Sequence, residues 1–209
     1  LTAERPKPLL EVAGRALLDH ALALVDAAGL APVAVNAHYR AEQIAAHLAH
    51  RPDVAISHEA PDILDTGGGL RHALPLLGAG AVFTLNTDAV WTGMNPLDTL
   101  ARAWDGTRMD ALLLLVPPDR AYAHAGPGDF RRGPDGRLAR GPGMTFTGAQ
   151  IIRTAPLATC PAGAFSLNAV WDGIAARGRL FGVAHPGLWC DVGHPEGLAA
   201  AERMLAEAP

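Results

Sequence analysis

The sequence is short of several things, and each shortage removes a class of function. It has two cysteines in 209 residues, Cys160 and Cys190, far apart and in no zinc-ligand spacing. That suits a reducing cytosol and argues against a disulfide scaffold. No apolar run approaches the roughly 20 residues of a membrane helix, and no signal-peptide pattern opens the chain. The formal net charge is −4 with no basic stripe, so nucleic-acid binding has no electrostatic support. A Gly-x-Ser-x-Gly elbow is missing, which argues against a serine hydrolase of that kind. His47 and His50 stand one helical turn apart with no third ligand in frame, as surface or capping histidines do. Charged residues are only 18% of the chain while apolar residues reach 49%, so a disordered chain is excluded and a sizeable core can form. An initiator methionine is also lacking. Leu1 opens on a loop-like stretch, and the expectation is that residues precede it in the native protein.

What is present reads as one α/β domain over residues 1–209. Leu17, Leu18, Ala21, Leu22 and Val25 repeat at helical spacing, and Gly29 stops that helix. Pro32–Asn36 reads as a strand, Ala41–Leu48 as a second amphipathic helix, and Val54–Ile56 as a further strand. This rhythm predicts βαβ crossovers and a mostly parallel sheet. Asn95-Pro96 marks a helix start, with Asn as N-cap and Pro at N1. Ala111–Val116 is apolar throughout and predicts a central strand. Near the end, Leu167–Ile174 predicts a helix, Leu180–His185 a strand, and Pro195 the start of a closing helix.

Four stretches carry candidate chemistry. Arg5-Pro6-Lys7-Pro8 holds Lys7 in a stiff loop, since two prolines fix φ and pull their predecessors into extended geometry. Asp65-Thr66-Gly67-Gly68-Gly69 places three glycines before a helix, where backbone and helix dipole can meet a planar base or a phosphate. It is neither a Walker A loop nor the dinucleotide glycine spacing. Ala81–Leu85 suits a strand in the middle of a parallel sheet, and it runs into Asn86-Thr87-Asp88. An acid just past the carboxyl end of such a strand lies where open α/β sheets bind ligands. Asp191, in Trp189-Cys190-Asp191-Val192-Gly193, occupies a similar handover from strand to helix.

Residues 119–150 are rich in Gly, Pro and Arg. They predict a sub-domain at the mouth of the sheet, with a hairpin turn at Pro134-Asp135-Gly136. Its arms are Phe130–Arg132 and Arg137–Arg140. A strand from Phe146 to Ile152 follows, interrupted at Gly148 where something can approach the backbone.

Taken in order, the Pro-Lys-Pro loop, the Asp65–Gly69 turn, Leu85-Asn86-Thr87-Asp88 and Trp189–Gly193 resemble the sugar-1-phosphate nucleotidyltransferase family. Val35–Tyr39 and Gly148–Ile151 extend the resemblance over essentially the whole chain. Within the family it is most similar to the uridylyltransferases of bacterial cell-wall recycling that act on N-acetylmuramate α-1-phosphate. The resemblance implies a Rossmann-like α/β fold with a mixed sheet, helices on both faces and a small β-rich sugar-side insertion. It also implies a cytoplasmic, Mg²⁺-dependent enzyme, monomeric or weakly dimeric, that takes a nucleoside triphosphate and a sugar 1-phosphate.

By position, Asp88 and Asp191 would hold the metal and Lys7 would neutralise phosphate. Thr66, Gly67, Gly68 and Glu59 would meet the nucleotide, and Asn86, Arg140, Gly148 and Asn168 the sugar side. Two departures stand out. The family's glycine- and arginine-bearing phosphate loop precedes the Pro-Lys-Pro loop, so a chain beginning at Leu1 is expected to lack a first strand and to have little activity. The lysine that many relatives place in the sugar-side loop is replaced by arginines, Arg137 and Arg140 among them. A mannose-1-phosphate guanylyltransferase and a non-catalytic nucleotide- or sugar-binding domain remain the alternatives.

Overall fold

The computed structural model describes residues 5–207. A single 3₁₀ turn at Lys7–Leu9 leads into a short hairpin of β1 (Glu11–Val12) and β2 (Arg15–Ala16). Helix α1 (Leu17–Ala27) buries Leu17, Leu18, Ala21 and Leu22. It closes as a Schellman motif: Gly29, at φ +64°, donates to Asp26 O, and Leu30 donates to Val25 O. β3 (Val33–Ala37), α2 (Ala41–His47) and β4 (Val54–His58) follow, with β3 and β4 paired in parallel. Then come α3 (Asp65–Leu77), β5 (Ala81–Leu85), β6 (Ala89–Trp91), α4 (Pro96–Ala103) and β7 (Ala111–Val116). Asn95 caps α4 by accepting the Leu97 N–H at 2.9 Å, as the Asn-Pro pair predicts.

The later part contributes β8 (Ala121–Tyr122), β9 (Phe130–Arg132), β10 (Leu138–Arg140), β11 (Thr145–Arg153) and α5 (Ala155–Ala158). It closes with α6 (Leu167–Ala176), β12 (Leu180–Ala184), β13 (Trp189–Asp191) and α7 (Pro195–Glu207). β9 and β10 form the expected hairpin around Gly136. β11 does not belong to an excursion at the mouth. It runs through the main sheet, whose order is β12-β7-β11-β5.

β7 is the centre, buried at every residue, and its side chains alternate between two cores. Leu113 and Leu115 face α3 and α6, where they meet Leu70, Val170 and Trp171. Leu112 and Leu114 face the side of α4 and α1, with Leu97 and Leu100. Burial on both faces is what a run without polar alternation requires.

Two features differ from the rhythm of the sequence. Among the described residues the parallel pairs are β12–β7, β3–β4 and β13–β8, and the main sheet is mixed because β11 returns from the hairpin and runs antiparallel to both β7 and β5. β5 is an end strand of its sheet rather than an interior one. Among the described residues it pairs only with β11, and β3 only with β4, so the remaining edges of β3 and β5 both border one cleft. That cleft measures about 1600 Å³ and is walled by α1 through Leu18, Leu22 and Val25.

His185, just past β12, is 1% exposed and contacts Thr92 O through Nε2 at 3.0 Å. Burial pushes it below the ordinary histidine range; the Thr92 contact opposes that shift and the Arg120 charge adds to it. The folded protein therefore keeps His185 neutral while the unfolded chain takes up a proton near about pH 6.5. Stability should fall as pH drops through that value. In urea titrations, His185→Gln is expected to flatten the loss of stability between about pH 7 and pH 5.5; identical pH slopes in the two proteins would contradict this.

Candidate active site

The two acids meet through the backbone. β5 ends at Leu85, and Asn86-Thr87-Asp88 carries the chain to β6. β6 pairs antiparallel with β13, placing Ala89 opposite Asp191, and the Val192 N–H donates to Asp88 O at 2.8 Å. Asp88 and Asp191, 103 positions apart in sequence, thus sit at the ends of neighbouring strands. Lys7 arrives from the other end of the chain. Its segment is a one-turn 3₁₀ helix rather than an extended loop, with Leu9 N–H on Pro6 O at 2.9 Å. That turn brings Lys7 Nζ to 3.5 Å from Asp88 Oδ2.

Asp191 Oδ1 accepts the Gly193 N–H at 2.7 Å, and its Oδ2 lies 3.9 Å from His124 Nδ1. Lys7 and Asp88 line the cleft, and Asp191 is not among its lining residues. Two partly exposed carboxylates fit a hard divalent cation, which prefers oxygen and takes few protein ligands. Among the described residues no group of three His, Cys, Asp or Glu could hold a metal, so an ion here would draw its other ligands from water and phosphate. His124 was not singled out by the sequence. It sits in the irregular stretch after β8, and only β13 brings it to Asp191, with its ring edge-on to Trp189.

The glycine triplet is not a loop before a helix. α3 already begins at Asp65, and Gly67, Gly68 and Gly69 are buried in its first turns. Their purpose in the fold is close approach. A Cβ on Gly68 would lie 2.5 Å from Gly163 O, and one on Gly67 would strike Phe165. The N–H groups of Gly67 and Gly68 both donate to Phe165 O, at 2.9 and 3.1 Å, so neither is free for a ligand. Thr66 does line the cleft, but its Oγ1 accepts the Leu167 N–H at 3.0 Å.

Glu59, also on the cleft wall, is buried and fully engaged. Its Oε1 accepts from Asn36 Nδ2 at 2.9 Å and its Oε2 from the Leu64 N–H at 2.8 Å. Asn36 also donates to Gly69 O at 2.9 Å. Glu59 therefore ties the ends of β3 and β4 to the start of α3. This wall of the cleft is held rigid by its own hydrogen bonds.

The residues assigned to the sugar side divide in two. Gly148, at φ +84°, forms a bulge in β11 between Phe146 and Gln150. A Cβ there would lie 2.7 Å from Asn86 Cβ, and Gly148 O accepts the Asn86 N–H at 3.0 Å. Gly148 thus seats Asn86, which lines the cleft while Gly148 does not. Arg140 and Asn168 both line the cleft and touch one another. Arg137 points elsewhere: its Nε donates to Gly178 O and its guanidinium lies 5.4 Å from the Phe181 ring. Gln150 is a lining residue that the sequence reading passed over, although a lone amide in the apolar run of β11 is a visible signal.

Two substitutions separate structure from chemistry. Lys7 and Asp88 are each more than a third exposed, so their pairing contributes only about 0–1 kcal/mol. Lys7→Met is expected to leave the urea midpoint near wild type while turnover falls at least roughly tenfold. Equal losses in both measurements would make Lys7 a structural residue. Gly68→Ala should do the reverse, destabilising by about 1–3 kcal/mol through overpacking; a wild-type midpoint would contradict the close packing of α3 on residues 163–165.

Comparison with known proteins identifies the family. Residues 3–204 match the model of the MobA-like NTP transferase domain. The chain is 41% identical to an N-acetylmuramate alpha-1-phosphate uridylyltransferase of Caulobacter vibrioides, across 100% of this chain and 91% of the relative. It is 33% identical to the Neisseria meningitidis enzyme of the same name, across 92% of this chain and 86% of that one. Among solved structures, HddC from Yersinia pseudotuberculosis complexed with GMP-PN superposes with a TM-score of 0.79 at 18% identity. That match covers 98% of this chain and 92% of HddC, and it shows the shared fold. The chain therefore belongs to the MobA-like NTP transferase family, among the sugar-1-phosphate nucleotidyltransferases.

Proposed function

We propose that this protein is a uridylyltransferase that joins UTP and N-acetylmuramate α-1-phosphate to give UDP-N-acetylmuramate and pyrophosphate. The observation that carries the reading is that Lys7 lies 3.5 Å from Asp88 and the β6–β13 ladder sets Asp191 opposite Ala89, the residue after Asp88, beside a cleft that Lys7, Asp88, Arg140 and Asn168 line. The two relatives that bear this activity in their names match nearly the whole chain, which supports the choice of base and sugar.

The chemistry asks for positioning and charge balance rather than proton transfer. A phosphate monoester has its second pKa near about 6, so the attacking oxygen is already ionised at neutral pH. That oxygen forms a bond to the α-phosphorus as the bond to the bridging oxygen of pyrophosphate breaks. Lys7, held beside Asp88 by its proline-flanked turn, supplies a point charge for the phosphates. Asp88 and Asp191 are proposed to hold Mg²⁺, which would offset charge on the phosphate oxygens. Thr66 and Glu59 shape the nucleotide-side wall, while Gly67 and Gly68 act through packing rather than contact. No helix among the described residues is long and apolar enough to cross a membrane. A cytoplasmic enzyme of cell-wall recycling, monomeric or weakly dimeric, fits the substrates.

The test is a pyrophosphate-release screen of the protein against four nucleoside triphosphates and several sugar 1-phosphates with Mg²⁺ present. The highest kcat/KM is expected for UTP with N-acetylmuramate 1-phosphate. A preference for GTP with mannose 1-phosphate would replace this reading by the guanylyltransferase one, and silence across the panel would favour a binding domain. Asp88→Asn and Asp191→Asn are each expected to lower turnover by roughly 10²-fold or more with the fold intact. Near-wild-type turnover in both variants would remove the metal assignment.

A further inference from the structure

A further cavity, of about 440 Å³, lies at the opposite end of the main sheet from Asn86. β11 relates the two places: its Ala149 pairs with Leu85, next to Asn86, and its Arg153 pairs with Ala81 at the start of β5. The cavity opens between α5 and α6, beside the end of β11. Ala169 and Gly173, one turn apart on α6, line it with little bulk. Outside its own helix backbone, a Cβ on Gly173 would have only Arg177 Nη1 within reach among the described residues, at 3.8 Å, so the space over that face is open.

The rim of this cavity is charged. Asp110, half-buried just before β7, faces three guanidinium groups from separate places in the chain: Arg153 closes β11, Arg177 caps α6 and Arg179 precedes β12. Arg179 is the one that binds it. Its Nε donates to Asp110 Oδ1 at 2.8 Å, and both of its Nη atoms turn to Thr107 O. The other two stand back, with Arg153 Nε 3.7 Å from Oδ1 and Arg177 Nη2 3.5 Å from Oδ2. Arg153 gives Nε to Met109 O and Nη2 to Gly106 O, which leaves Nη1 without a partner among the described residues. Arg177 makes no side-chain hydrogen bond among the described residues, and its side chain is 53% exposed. Asp105, the next acid in this loop, is turned to Thr107 and does not line the cavity.

One carboxylate does not balance three guanidinium groups, and like charges held this close repel one another unless an anion joins them. The excess of two positive charges matches a dianion, which is what a phosphate monoester largely is at neutral pH. Arginine is also the side chain whose planar donors fit phosphate oxygens best. We propose that this cavity is a second ligand site, separate from the cleft, in which Arg153 and Arg177 take the phosphate group of a small phosphorylated molecule. Arg179 keeps Asp110 in place as the hinge between them. The volume exceeds what a phosphate needs and leaves room for a short carbon skeleton over Ala169 and Gly173.

Cys160 lines the same cavity and is half-buried, whereas Cys190 is fully buried, so thiol alkylation reports on this place and not on the cleft. The experiment measures the rate of Cys160 labelling by iodoacetamide, read by peptide mass spectrometry, with glycerol 3-phosphate, inorganic phosphate or chloride at equal ionic strength. Glycerol 3-phosphate is expected to slow labelling roughly threefold or more at saturating concentration, and chloride to leave it unchanged. Equal protection by inorganic phosphate would identify the free ion as a sufficient ligand, and weaker protection would identify a phosphate ester. Arg177→Gln should abolish the protection while keeping the wild-type urea midpoint, and Lys7→Met, altered in the cleft, should retain it. The absence of protection, equal protection by chloride, or protection that survives Arg177→Gln or disappears in Lys7→Met would each overturn the site.

Discussion

One main-chain hydrogen bond, from the Val192 N–H to Asp88 O at 2.8 Å, sets the geometry on which the site depends. It joins the end of the β5 segment to the start of the closing helix. Without it, two acids on separate strands would be two surface carboxylates. The β6–β13 ladder fixes their relative height, and the buried cluster of Val90, Cys190, Val192 and Ala201 under α7 keeps that ladder in place. The Cys190 thiol within this cluster is pushed up to about 11, first by burial and then by the Asp191 charge, as befits a packed group rather than a nucleophile.

β11 performs the complementary task. Its bulge at Gly148 grips Asn86, and two residues later Gln150 accepts the Trp171 indole N–H. A single antiparallel strand therefore positions both the acid-bearing loop and Gln150. The hairpin β9–β10 then brings Arg140 over Phe130 and Trp171. Lys7, Asp88, Arg140 and Asn168 all line the cleft, and Glu59 and Asn36 lock part of its wall by hydrogen bonds.

How much of this was legible depended on how local the cause was. Ala111–Val116, the Asn95-Pro96 cap and the Pro134-Asp135-Gly136 hairpin follow from short-range rules, and the structure contains each of them. The end position of β5 was not legible, because an apolar run states burial and says nothing about which neighbours a strand acquires. The glycine triplet misled for a similar reason. Glycine permits both a ligand-cradling loop and a crowded helix contact, and only the position of Phe165 decides between them. Of the two arginines left open in the sugar-side loop, Arg140 reaches the cleft and Arg137 does not. Strand pleating and the contact with Gly178 settle that, and spacing alone cannot. Asp88 and Asp191 stood out as acids at strand ends and took a metal role from the resemblance, yet their adjacency comes from a ladder between segments a hundred residues apart.

The central claim is that Lys7, Asp88 and Asp191 form one site for nucleotide phosphates and a divalent cation, beside the cleft that Lys7 and Asp88 line. Crystals grown with UDP-N-acetylmuramate and Mn²⁺, measured at the manganese edge, test it most directly. The expected result is an anomalous peak between Asp88 and Asp191, with the diphosphate beside Lys7. A manganese peak away from both acids, with the diphosphate away from Lys7, would contradict the account.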